Sequence, residues 1–437
     1  MLKARWMSAK VLYALLALSA VLLVSTGAAA ATGSEPVPEA PPEAVVRTVE
    51  PKALIAEVSP LVEQIRGLRF KRPVSARVID NGEARAYATK RLHLFATDED
   101  LRAQQAAYVL LGLVPAGTDV LEVYLDVLDE QAGGFYDPES GSFFLLGHMP
   151  RGVGPFLTSH ELTHALEDQH FDLDGRLNAV KGDDDEIFAR SAVHEGSATL
   201  VMALYGARAA LEGRLKATDL QELSESEAGK GEKLQAMAPA LRRQLLGAYF
   251  LGARFLLRGR GGALGLSAFP AGDADRAYRE GPESSEQILH PEKYWDASKR
   301  DRPRRVVLGD AGQRLGEGWR KEGTGVLGEL TLGVIVGAPT PSLADAGAFP
   351  GGDAWTNAAA AGWGGDRWEL WAKDGKRVVL LATAWDTKRD AEEFTAALPS
   401  RPGFAFKRSG DRVAIVAGDA GDRTPDLLRA LLSPRKK

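Results

Sequence analysis

The sequence predicts an α+β protein in two parts, a mainly helical part with a small sheet and a smaller α+β domain behind it. Three observations point there. Apolar residues recur at helical spacing over several stretches between residues 54 and 257. An aromatic-rich strand pair interrupts them near residue 140, and strand pairs joined by turn residues dominate beyond residue 303. At 437 residues the chain is too long for one compact unit. Its 45% hydrophobic and 26% charged residues are ordinary for a globular protein with a sizeable core.

Taken in order, residues 1–31 read as an export signal. Lys3, Arg5 and Lys10 form a basic start, Val11 to Val24 is nearly all apolar, and Ala28 to Ala31 offers small residues for cleavage. The expectation is a periplasmic or extracellular protein, or one anchored at the inner membrane if the signal is left uncleaved. Residues 32–47 are Pro- and Glu-rich and read as an extended linker. Helices are predicted over Leu54 to Leu68 and Asp98 to Leu113. Gly133 to Gly147 reads as a hairpin, because two aromatic runs flank the turn residues Asp137 to Gly141. Pro155 suits the first position of a helix that runs through His160 to about His170. A second helix follows over roughly Glu186 to Leu211, then a polar stretch from Ala217 to Lys233 that reads as a loop or lid, then a helix over Ala240 to Leu257.

The first domain is expected to span residues 48–300, and the basic, Pro-containing stretch Lys299 to Arg305 marks a boundary. The second domain, 303–437, holds six of the eight Trp residues. Arg367 to Trp385 reads as two strands joined by Asp374-Gly375, the strongest short hairpin signal. A helix over Thr387 to Leu398, two strands around Ser409-Gly410, and a last helix opened by Thr424-Pro425 complete a β-β-α-β-β-α order.

Composition removes several function classes. A formal charge of −5 with both signs interspersed gives no basic footprint for nucleic acid. The absence of cysteine excludes disulfides, thiolate metal sites, a Cys nucleophile and a lipid-modified cysteine. A metal in this chain must be held by His and carboxylate.

His160-Glu161-Leu162-Thr163-His164 matches HExxH. Residues four apart lie one above the other on a helix, so both imidazoles face one point and can hold zinc at about 2.0–2.1 Å. Glu161 is placed to take a proton from water that the metal acidifies to a pKa of about 7. The bland reading is a surface helix with two solvated His. Against it, four of the seven His lie between residues 160 and 194. Two residues compete as third ligand. Glu195 lies in the next predicted helix among small and apolar neighbours, where an unpaired charge is costly and wants a cation. Gly196 beside it removes a side chain where another helix must come close. His170 has the spacing of an HExxHxxGxxH pattern, but Glu167 stands where that pattern has its turning Gly. Glu195 is preferred, and His194 is the outsider.

The segment His160 to Asp168 (HELTHALED) resembles the zinc helix of thermolysin-like, gluzincin-type metallopeptidases, and a Glu on a following helix resembles their third ligand. That resemblance covers about forty residues. It implies a zinc-dependent peptidase acting on a peptide or protein, with His160, His164 and Glu195 as ligands, Glu161 as base, and Asp168 orienting a ligand. It also implies that the hairpin over Phe135 to Leu146 binds substrate backbone by strand addition. Thr199 departs from the family's Asp four residues after the ligand Glu. The stretches EGSAT, SSEQILHPEKY and AAGWGGDRW are similar to a group of uncharacterised exported bacterial HExxH proteins. Such peptidases need a donor for the developing oxyanion. His290, held extended by Pro291, is the expected donor, with Tyr249 and Tyr294 as rivals. Two other readings stand beside this one. The first is a non-catalytic exported envelope module with structural zinc, whose Trp-rich domain binds a peptide, a glycan or another partner. The second is metal-dependent hydrolysis of a non-peptide bond.

Overall fold

A computed structural model describes residues 50–433 except 132, 148–153, 215–230, 261–267, 344 and 346–350. The export signal, the linker and nearly all of the expected polar loop lie outside the described residues. The architecture is α+β, with two sheets among the described residues.

The first part is built on helices. These are α1 (Pro51–Arg66), α2 (Asn81–Phe95), α3 (Asp98–Leu111), α4 (Val120–Gln131), α5 (Gly154–Phe171), α6 (Leu173–Ala179), α7 (Asp184–Leu211), α8 (Glu232–Ala236), α9 (Pro239–Leu256), α10 (Ala271–Glu280), α11 (Ser285–Leu289) and α12 (Glu292–Trp295). α5 carries HExxH and is buried nearly all round, since α1, α7 and a small sheet enclose it. That sheet has the order β1-β3-β2, from β1 (Ser75–Ile79), β2 (Gly134–Asp137) and β3 (Ser142–Leu146). The expected hairpin is β2–β3. β1, unforeseen, joins it in parallel, so β3 lies in the middle and β2 is at the edge among the described residues.

α7 and α9 touch along their backbones. A Cβ on Gly196 would stand 2.2 Å from the carbonyl carbon of Gly252, and one on Gly252 would stand 1.9 Å from the Ala192 oxygen. Two glycines at one crossing let the helices meet closer than any side chain permits.

Beyond residue 300 come β4 (Arg320–Gly325), α13 (Gly328–Ile335), β5 (Trp363–Lys373), β6 (Lys376–Trp385), α14 (Lys388–Ala397), β7 (Phe404–Ser409), β8 (Arg412–Gly418) and α15 (Thr424–Leu432). The expected order is present with β4 and α13 added ahead of it. The strands form an antiparallel sheet in the order β4-β5-β6-β8-β7. Asp374 and Gly375 both have positive φ, as the two-residue hairpin turn demands. Alternate residues of β6 separate the two faces. Val378, Leu380, Ala382 and Ala384 pack under α15 with Leu427 and Leu431. Val379, Leu381 and Trp385 point the other way into a core continuous with Leu54, Leu166 and Leu246 of the first part. The stretch Lys299 to Arg305 therefore separates two sheets, but the larger core crosses it, and only the cluster under α15 lies wholly beyond it.

Candidate metal centre

α5 presents His160 and His164 one turn apart toward α7, and α7 returns Glu195. His160 Nε2 lies 3.1 Å from His164 Nε2 and 3.2 Å from Glu195 Oε2. The third side of the triangle, His164 Nε2 to Glu195 Oε2, is 3.6 Å. Four ligands at about 2.0–2.1 Å in a tetrahedron stand about 3.3 Å apart, so these separations suit one small cation touching all three atoms. Two imidazole nitrogens and one carboxylate oxygen are a fitting set for zinc. All three residues are buried, His164 the most open at 5%.

The charges in the group reinforce one another. Burial disfavours a charged Glu195, but attraction to His164 and hydrogen bonds with both His hold its carboxyl down at about 2. Burial likewise opposes charge on His164, and Glu195 outweighs it, raising His164 to about 9. His160, fully buried, is lowered. Glu161 stands beside the group without joining it. Its Oε2 accepts the Tyr136 backbone N–H of β2 at 2.9 Å. Burial pushes its carboxyl up to about 8, and the nearby Glu195 charge acts the same way against the opposing His164.

The other expected site residues fall elsewhere. α5 continues unbroken to Phe171, because Glu167 gives no reason to turn where Gly would. Ten residues beyond His160 at 3.6 per turn is a different face, and His170 Nε2 meets the Arg69 carbonyl at 2.8 Å. His170 is thus not brought to the group. His194 stacks on Tyr278 and is pushed down to about 3 by burial. Among the described residues Asp168 hydrogen-bonds none of His160, His164 and Glu195. It accepts Tyr136 OH at 2.9 Å and the Leu173 N–H at 3.2 Å. His160 Nδ1 and Thr199 Oγ1 are both buried without a hydrogen-bond partner among the described residues.

His290 is also placed apart. Its Nε2 lies 3.1 Å from both Glu329 oxygens, and Glu329 accepts Thr356 Oγ1 at 2.6 Å. Burial opposes charge on His290, the Glu329 carboxylate more than offsets it, and the pair ties the end of α11 to α13. Tyr294 packs on Phe255 and Trp295. Of the three expected oxyanion donors only Tyr249 is beside the group, its ring centred 6.0 Å from that of His160. The Tyr136 N–H is the contact that reading residues missed, since a main-chain donor leaves no mark in side-chain identity. A second convergence of carboxylates, Glu286, Asp301 and Asp386, already holds a cation. Lys293 Nζ lies 2.6, 3.0 and 2.8 Å from them respectively.

A family model described as a domain of unknown function (DUF8575) matches residues 313–401. The match covers β4 through α14 and leaves out the helices that carry His160, His164 and Glu195. No curated protein and no solved structure matches the chain.

Proposed function

We propose that this protein is an exported zinc-dependent peptidase of the thermolysin-like HExxH…E kind. The observation that carries the reading is the convergence of His160 Nε2, His164 Nε2 and Glu195 Oε2, with Glu161 adjacent but outside the ligand set. Zinc, if held by these three residues, would supply Lewis acidity toward water and toward a carbonyl oxygen. Glu161, pinned through Oε2 by Tyr136, uses its other oxygen to accept a proton from the attacking water. As the C–N bond breaks it returns that proton to the leaving amine nitrogen. The outer edge of β2 lies against Glu161. Gly133 carbonyl accepts the Leu146 N–H of β3, so by alternation Gly134 and Tyr136 turn their main-chain groups outward.

The burial of the metal centre favours a second reading, a zinc-stabilised binding module. A structural site closes its fourth position with protein. Only three donors converge among the described residues. Trp355, Trp363, Trp368 and Trp385 are buried as core, which removes much of the aromatic surface that a binding module needs.

The test is cleavage of a broad peptide library by the purified protein, by its chelator-stripped form, and by Glu161→Gln. The stripped form is expected to be inactive until zinc is restored. Glu161→Gln is expected to keep its zinc and to lose about 10²–10⁴ in rate, as loss of a general base does. Turnover unchanged in Glu161→Gln contradicts the mechanism.

A further inference from the structure

We infer that Glu167, which the proposed chemistry does not use, sets the reach between the His pair and Glu195 and so tunes metal affinity; this rests on the metal-centre reading above. Glu167 is fully buried on α5, one turn beyond His164, and makes three short contacts to three other helices. Its Oε1 accepts Arg66 Nε of α1 and Ser197 Oγ of α7, each at 2.5 Å. Its Oε2 accepts Tyr278 OH of α10 at 2.5 Å.

The partners flank Glu195 on both sides. Ser197 is two residues beyond it on α7. Tyr278 stacks on His194, the residue before it, with ring centres 5.3 Å apart and planes within 15°. One carboxylate on the His-bearing helix thereby grips the Glu-bearing helix directly through Ser197 and indirectly through Tyr278 and His194. Arg66 balances the charge, and its guanidinium also bonds Asp275 and lies over Phe269. A buried carboxylate with three hydrogen bonds, one of them from a cation, has no freedom to drift, so neither has the α5–α7 spacing. Since the triangle of donor atoms spans both helices, that spacing decides how well a cation touches all three. Glu167 is a positioning residue, acting through Glu195.

Replacing Glu167 itself strands the buried Arg66 charge and endangers folding. The test therefore removes one hydroxyl at a time, in Ser197→Ala and Tyr278→Phe, within the full chain. Zinc affinity is measured by competition with a chromophoric chelator, and the visible spectrum of the Co2+-loaded protein reports ligand geometry. A control, Val416→Ala, lies under α15 on the far face of the second sheet. Partners that orient metal ligands typically cost about 10–100-fold in affinity when removed. Ser197→Ala and Tyr278→Phe are each expected to lose about tenfold with an altered cobalt spectrum, and Val416→Ala to lose stability alone. Affinities and spectra equal to the parent protein's in both variants overturn the clamp and leave the metal centre standing. A parent protein that binds no zinc overturns the metal centre, and the clamp with it.

Discussion

Asp366 shows how a single buried group couples this fold to pH. Its Oδ1 accepts the Gly328 N–H and Trp363 Nε1, and Oδ2 accepts the Leu327 N–H, which fixes the turn into α13 against β5. Burial raises its carboxyl to about 6 from the ordinary 3.8, against the pull of those hydrogen bonds. The folded chain therefore holds this proton more tightly than the unfolded one. The resulting stabilisation is complete below about pH 4 and is lost as pH rises through about 6, at most about 3 kcal/mol. Asp366→Asn keeps one oxygen for the Gly328 and Trp363 donors, gives up the Oδ2 acceptor of the Leu327 N–H, and removes the titration. Denaturant melts from pH 4 to 7 are expected to show the parent losing stability relative to Asp366→Asn over that window, and a pH-independent difference would refute the shift. Residues of this kind are hidden in sequence, because a burial partner forty residues away leaves no local sign. The donors of the candidate metal group were legible for the opposite reason. His160 and His164 owe their convergence to helical spacing alone, and Glu195 stood out as a charge among apolar neighbours. Asp168 and His290 were misjudged because proximity in sequence or a plausible backbone does not fix which partner a polar side chain finds. Here the partners are Tyr136 and Glu329.

At the scale of elements, the crossing of α7 and α9 is the joint on which Glu195 depends. Gly196 was readable as a point of close approach, and Gly252 meets it there. In Gly196→Ala the new methyl must push Gly252 backbone aside, with no flexible side chain to yield. Overpacking of this kind costs about 1–3 kcal/mol, and the displaced Glu195 should weaken zinc binding in the same variant. Chemical denaturation checks the first effect. A change within about 0.5 kcal/mol, the range of an inert surface substitution, contradicts the close crossing. Elements were legible where the signal was local. The Asp374-Gly375 turn announced β5–β6, and Pro155 sat inside the first turn of α5. β1 was missed because its partner β3 lies 67 residues away and a parallel pair has no turn to announce it. β4, with the sequence RKEGTG, has no apolar alternation and is a strand only because β5 pairs with it. The apolar face of α2 is narrow, Ala84, Ala88 and Leu92, although its Asp80–Glu83 capping box was there to be read.

Across the whole molecule, as far as its described residues go, the larger core crosses the boundary in composition. α3 packs on the second sheet, and Arg243 of α9 hydrogen-bonds the carbonyls of Leu330, Pro339 and Trp355. Among the described residues, Trp363, Trp368, Leu370 and Leu381 belong to the same cluster as Val58 and Leu162. The sequence expectation that residues 303–437 fold alone meets this shared core. A 303–437 fragment would expose that apolar face, and calorimetry is expected to find no cooperative transition in it; a sharp one would separate the cores. Among the described residues no helix is long and apolar enough to cross a membrane. Everything functional in this account descends from three donor atoms on two helices, so metal content is its most direct measurement. After purification and dialysis, the parent protein, Glu161→Gln and His170→Ala are predicted to retain one zinc per chain, while His160→Ala and Glu195→Ala lose it. Zinc absent from the parent, or retained in Glu195→Ala and lost in His170→Ala, would contradict the metal centre described here.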